Sequence, residues 1–129
     1  MAEHVANLDA ETLRQFTTDV FMKLSVPLED ATICTDVLMA ADLRGFDSHG
    51  VQRLKLYCDR IKAGILSPTT EITIVKETPT TARLDAGHGM GQVAAYRAMK
   101  IAIEKAETYG TGAVSVGNSN HFGIAGYYP

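Results

Sequence analysis

The chain has 129 residues, 46% hydrophobic and 21% charged, with eleven Gly, four Pro and a formal net charge of -3; this composition belongs to a globular core, not to a disordered or fibrous chain. Acidic and basic residues alternate along it, so no basic stripe marks a nucleic-acid surface and no polybasic segment marks a membrane surface. The opening MAEHVANLDAETL lacks the basic and apolar regions of a secretory leader and no long apolar run follows, so a cytoplasmic protein is expected, with Cys34 and Cys58 reduced and, lacking CxxC spacing, without assigned chemistry.

Leu8, Leu13, Phe16, Val20, Phe21 and Leu24 recur at helical spacing behind Asp9, an N-cap type, and predict an amphipathic helix over about residues 9–25 that Pro27 closes off. A second helix fits Glu29 to about Leu43, with Ile33, Val37, Met39, Ala40 and Ala41 as its apolar face and Gly45 in the left-handed position after it. Asp47 and Ser48 are capping types for a third helix from about His49 to Ala63, with Val51, Leu54, Cys58 and Ile61 inward and Gly64 at its end. The period then changes. Residues 71–76 and 81–85 alternate around a turn at 77–80, which reads as a β-hairpin. Helical spacing returns from Gly91 to Tyr109, where Val93, Ala94, Met99, Ala102, Ile103 and Ala106 are apolar or small and Gly110 ends the run; Ala113-Val114-Ser115-Val116 then fits a short buried strand. A Gly-bounded polar loop, 117–123, follows, and the sequence stops at Tyr127-Tyr128-Pro129 as if leading into another element, so part of a longer chain is expected.

On the third predicted helix His49, Arg53 and Tyr57 lie four apart, each advancing only about 40° around the axis, so one face presents all three. Unpaired N–H groups at the helix start and the planar fork of Arg53 suit an anion, and His49 suits a proton. From spacing alone an exposed face with a capping Ser48 and a snorkelling Arg53 is the preferred reading. In the loop Asn118-Ser119-Asn120-His121-Phe122-Gly123, an imidazole just past a strand end is placed for general acid/base work, while a turn with an exposed histidine explains the same residues equally. Gly87-His88-Gly89-Met90-Gly91-Gln92 invites a dinucleotide-binding reading, but the third glycine of GxGxxG falls on Gln92 and no acidic residue closes the next strand; a tight turn with His88 as a turn residue is preferred. No GxSxG elbow supports a hydrolase, and His4, His49, His88 and His121 have no metal-ligand spacing.

Residues Ala41-Asp42-Leu43-Arg44-Gly45-Phe46-Asp47-Ser48-His49-Gly50-Val51-Gln52-Arg53 through Tyr57, the Gly89-Met90-Gly91-Gln92 turn and Asn118-Ser119-Asn120-His121-Phe122-Gly123 resemble the type 2 malate/L-lactate dehydrogenases over nearly the whole chain. Ureidoglycolate and sulfolactate dehydrogenases, diketogulonate reductase and a cyclic imino-acid reductase share those motifs, which therefore mark the family and not the substrate. The resemblance implies an α/β fold: an N-terminal helical region over 1–70, then at 71–129 the start of a layered α/β domain whose mostly antiparallel sheet binds NAD or NADP outside the Rossmann scheme. Family chains are longer and their main cofactor-contacting segments come later, so the cofactor-binding residues lie mostly beyond residue 129 and the fragment alone is expected to be inactive.

By position, His121 resembles the catalytic acid/base, His49 a second active-site histidine given that role in some members, Arg53 the carboxylate-binding arginine and Ser48 a substrate hydrogen-bond donor, with Tyr57 a weaker substrate contact. The implied reaction moves a hydride between nicotinamide and C2 of a 2-hydroxy/2-oxo acid, malate first, in a full-length homodimer with a small carboxylate substrate and no metal. Two alternatives remain: an imino-acid or diketo-acid reductase of the same family, and a non-catalytic helical interaction fragment.

Overall fold

In the computed structural model residues 7–128 are described; His4 and Pro129 lie outside them. Asp9 caps helix α1 (Ala10–Lys23) by accepting the Thr12 N–H at 2.8 Å, as its residue type predicts. The buried face of α1 differs from the predicted one. Leu8 and Phe16 are exposed, and Thr17 takes an interior place because its hydroxyl donates to the Leu13 carbonyl at 2.8 Å and so enters the core without an unsatisfied group.

Helix α2 (Leu28–Leu43) is buried on nearly every side, through Ala31, Ile33, Cys34, Thr35, Val37, Leu38, Met39 and Ala41. It is the central helix, and a single apolar stripe understates it. Gly45 at φ +76° lets the Phe46 N–H reach the Ala41 carbonyl at 2.9 Å and the Gly45 N–H reach that of Asp42 at 3.0 Å, the paired bonds of a Schellman end.

The third predicted helix is corrected. Asp47–His49 and Val51–Arg53 each form one 3₁₀ turn, separated at Gly50, and α3 runs only over Leu54–Lys62; neither Asp47 nor Ser48 caps a helix. Capping comes from Asp42, whose carboxylate accepts the Val51 N–H at 2.8 Å, and a Cβ on Gly50 would strike that carboxylate. Of the N–H groups proposed for an anion, that of Val51 is thus taken by an internal carboxylate and those of His49, Gly50 and Arg53 by backbone carbonyls. Gly64, at φ +71°, ends α3 as predicted.

Strands β1 (Thr73–Glu77) and β2 (Thr81–Asp85) form the predicted hairpin, with a bulge between Ile74 and Lys76; Ile74 and Val75 remain exposed. From β2 the chain enters α4 (Gly91–Tyr109) and returns as β3 (Ala113–Gly117) parallel to β2, giving a mixed sheet of order β1-β2-β3 with one antiparallel and one parallel pair. β3 is half-buried, not the buried strand its apolar run predicts, because β2 is its sole pairing partner among the described residues.

The larger core joins Phe21, Leu38, Tyr57, Leu66, Met90 and Val93, so it crosses residue 70 and binds the helices to the start of α4; a smaller one gathers Ala82, Leu84 and Ala98. Arg97 reinforces the junction, donating to buried Asp30 at 2.6 Å and to the Thr70 carbonyl at 2.9 Å. Burial raises the Asp30 carboxyl above its ordinary range and Arg97 pulls it back.

Candidate active site

The loop after β3 is fastened to the β2–α4 turn before it presents any side chain. His88 (φ +58°) donates its backbone N–H to the Asn118 carbonyl at 2.7 Å, and Asn118 (φ +48°) donates from its amide to Asp85 at 2.6 Å. Asn120 then donates to the carbonyls of His88 and Gly89 at 3.0 and 3.1 Å. The Gly87 N–H, with Asn118 behind it, holds the Asp85 carboxyl below its usual range. His88 is the turn residue its context predicts, used through its backbone.

This anchorage sets His121 over the segment 47–57. Its Nδ1 lies 2.9 Å from the Tyr57 hydroxyl, and the Gly123 N–H points at the same nitrogen from 3.3 Å. The His121 and His49 rings stack with centroids 5.6 Å apart and planes at 29°. His49 Nδ1 meets the Ser48 hydroxyl at 2.8 Å, and Arg53 Nε donates to the Ser48 carbonyl at 2.6 Å. Ser48, His49, Arg53, Tyr57 and His121, picked from two distant stretches of sequence, form one cluster. What joins them is the pair of 3₁₀ turns and the loop contact, and not the single helix face that spacing implied. Burial lowers the His121 pKa from its ordinary 6.5, and the neighbouring Arg53 and His49 lower it further, so the ring is poised neutral near pH 7. Tyr57, expected to touch substrate, is 1% exposed with its hydroxyl engaged by His121, and burial pushes its pKa up to about 12.

Three contributors escaped the sequence reading. Asp42 and Gly50 shape the turn that carries His49, and the only hint was a glycine inside an otherwise helical pattern. Gln92 is fully buried at the start of α4; its hint was a polar residue standing where the failed fingerprint wanted glycine. That turn joins strand to helix as a phosphate cradle does, but a Cβ on Gly91 would strike the carbonyl oxygens of Asn120 and His121. Loop backbone therefore covers the helix start, with acceptors and not donors facing it, and the described residues do not fit a dinucleotide pyrophosphate there.

Residues 8–129 match the malate/L-lactate dehydrogenase family. The chain is 51% identical over 126 residues to a malate dehydrogenase of Pyrococcus abyssi, covering 98% of this chain and 35% of the relative. It is 48% identical over 121 residues to an L-sulfolactate dehydrogenase of Methanocaldococcus jannaschii, covering 94% and 35%. The solved malate dehydrogenase of Pyrococcus horikoshii superposes with a TM-score of 0.95 at 48% identity, over 98% of this chain and 36% of that one. The chain thus spans about a third of the length of the relatives it matches, and by the match over residues 8–129 it belongs to the malate/L-lactate dehydrogenase family.

Proposed function

We propose that the full-length protein is a NAD- or NADP-dependent oxidoreductase that interconverts a small 2-hydroxy acid and its 2-oxo acid, malate first, as a cytoplasmic homodimer. The observation that carries this reading is the His121 ring: Nδ1 is held by Tyr57 while Nε2 has no partner among the described residues, and Arg53 lies in the same cluster. A neutral imidazole with one open nitrogen can take the hydroxyl proton of an alcohol and return it to a ketone. Arg53 uses Nε on the Ser48 carbonyl, which leaves its outer nitrogens to grip a carboxylate and hold C2 in place. When bound, a nicotinamide nucleotide supplies the hydride acceptor. The names of the relatives, malate and sulfolactate dehydrogenases, support an acid with a second anionic group.

The test is oxidation of malate, lactate and sulfolactate by the full-length protein with NAD and NADP, followed by nicotinamide absorbance. Malate-dependent reduction of either cofactor is expected. Turnover of a cyclic imino acid with none of the hydroxy acids would replace this reading with the imine-reductase one.

A further inference from the structure

The C-terminal end of α2 touches both halves of the site. On one side the Asp42 carboxylate accepts the Val51 N–H at 2.8 Å and so seats the pair of turns that carries Ser48, His49 and Arg53. On the other, Arg44, the residue that ends α2, donates from Nη1 to the Gly126 carbonyl at 2.7 Å, in the 3₁₀ turn Ala125–Tyr127. That turn follows His121 closely. Its neighbour Tyr128 donates its hydroxyl to the Phe122 carbonyl at 2.5 Å, which closes residues 122–128 on themselves, and Gly123, at φ +82°, lies so close to α2 that a Cβ there would strike Val37. Upstream, His121 is fixed through Asn120, whose amide reaches the carbonyls of His88 and Gly89. Downstream, apart from the Gly123 contact with His121 itself, the Arg44 bond is the one hydrogen bond among the described residues that ties this closed segment to the rest of the chain.

We propose that Arg44 is a positioning residue that, by gripping the Gly126 carbonyl, fixes the downstream side of His121 and sets that ring against His49 and Tyr57. Its consequence for turnover rests on the reading of His121 as the acid/base. Asp42 and Arg44 are two residues apart, so one helix end fixes the spacing between the turns and the His121 loop. The contact needs one donor on one carbonyl, and an ammonium can make it as a guanidinium does. Without a donor the downstream arm keeps only the packing of Gly123 on Val37, and His121 is freer to leave the place where Tyr57 lies 2.9 Å from Nδ1 and His49 stacks on it. The groups that face the ring are Arg53 and His49 from the turns and Tyr57 and Arg60 from α3. A loosened ring moves away from these charges and toward water, and both changes raise its pKa toward the ordinary 6.5. Arg53, seated from the Asp42 side, keeps its place.

The test is an NMR titration of His121 in the full-length protein, its signal assigned by loss in His121→Ala, beside steady-state kinetics of malate oxidation. Arg44→Met should raise the His121 pKa, carry the acid limb of kcat/KM upward with it and lower kcat roughly tenfold with little change in KM. Arg44→Lys should restore both. Tyr128→Phe, which opens the closed segment, should shift the titration the same way, and Arg44→Met should add little in that background. An unchanged His121 titration in a folded Arg44→Met protein overturns the inference, as does a shift that Arg44→Lys fails to restore. Should Arg44→Met not fold, a wild-type titration in Tyr128→Phe overturns it instead. A raised His121 pKa with wild-type kcat at every pH would uphold the placement and sink the acid/base reading.

Discussion

The charged form of His121 is disfavoured by burial first, then by Arg53 and His49. Its folded pKa is therefore below its unfolded value, and between the two the unfolded chain holds more protons than the folded one. The stability contributed by the neutral ring is complete above the ordinary pKa of 6.5 and is lost as the pH falls through the folded value. If His121 is the proposed base, the same proton blocks Nε2, so kcat/KM of the full-length protein should fall on the acid side with an apparent pKa below 6.5, and Arg53→Leu should move that limb upward by removing one cation. Arg53→Leu should also raise substrate KM, with a loss in kcat/KM of roughly 2–4 kcal/mol while cofactor binding survives. An unchanged KM in steady-state assays would remove the carboxylate grip.

Two glycines decide whether the elements can bring these residues together. A methyl on Gly91 would strike the carbonyls of Asn120 and His121, so Gly91→Ala should displace the His121 loop, lowering kcat and costing roughly 1–3 kcal/mol of stability in denaturant titration. Gly50→Ala meets the Asp42 carboxylate in the same way and should disturb His49. Removing Arg97 leaves Asp30 buried without its cation, and Arg97→Leu should destabilise by roughly 3–5 kcal/mol, read as a lowered denaturation midpoint. Local signals read these elements well where they acted alone: the Asp9 cap, the ends at Gly45, Gly64 and Gly110, and the hairpin turn all depend on backbone preferences within a few residues. They failed at 47–53, where the apolar spacing suited a helix but a carboxylate from α2 caps a turn there, a contact no local window contains. Thr17, absent from the predicted apolar face of α1, is buried because its hydroxyl is satisfied within its own helix and the residue packs like an aliphatic one.

Across the whole molecule one core joins the helices to the start of α4 and a smaller one packs β2 against α4, while Ile74, Val75, Ile103 and Phe122 remain exposed. The outer edges of β1 and β3 have no strand partner among the described residues. The 129-residue chain by itself should therefore self-associate at micromolar concentration; a monomer with one cooperative unfolding transition in sedimentation and melting experiments would contradict this. The site was legible in its parts and not in its assembly. Both histidines, Arg53, Ser48 and Tyr57 stand in motifs that can be picked out residue by residue, but that Tyr57 faces His121, and not open solvent, follows from packing across sixty-four positions of sequence. The most direct measurement is kcat for malate oxidation by the full-length protein and its His121→Ala variant across pH, with cofactor affinity followed separately by fluorescence. The expected result is a fall of about 10²- to 10⁴-fold in kcat with loss of the acid limb and unchanged cofactor binding; near wild-type kcat with the limb intact would contradict it.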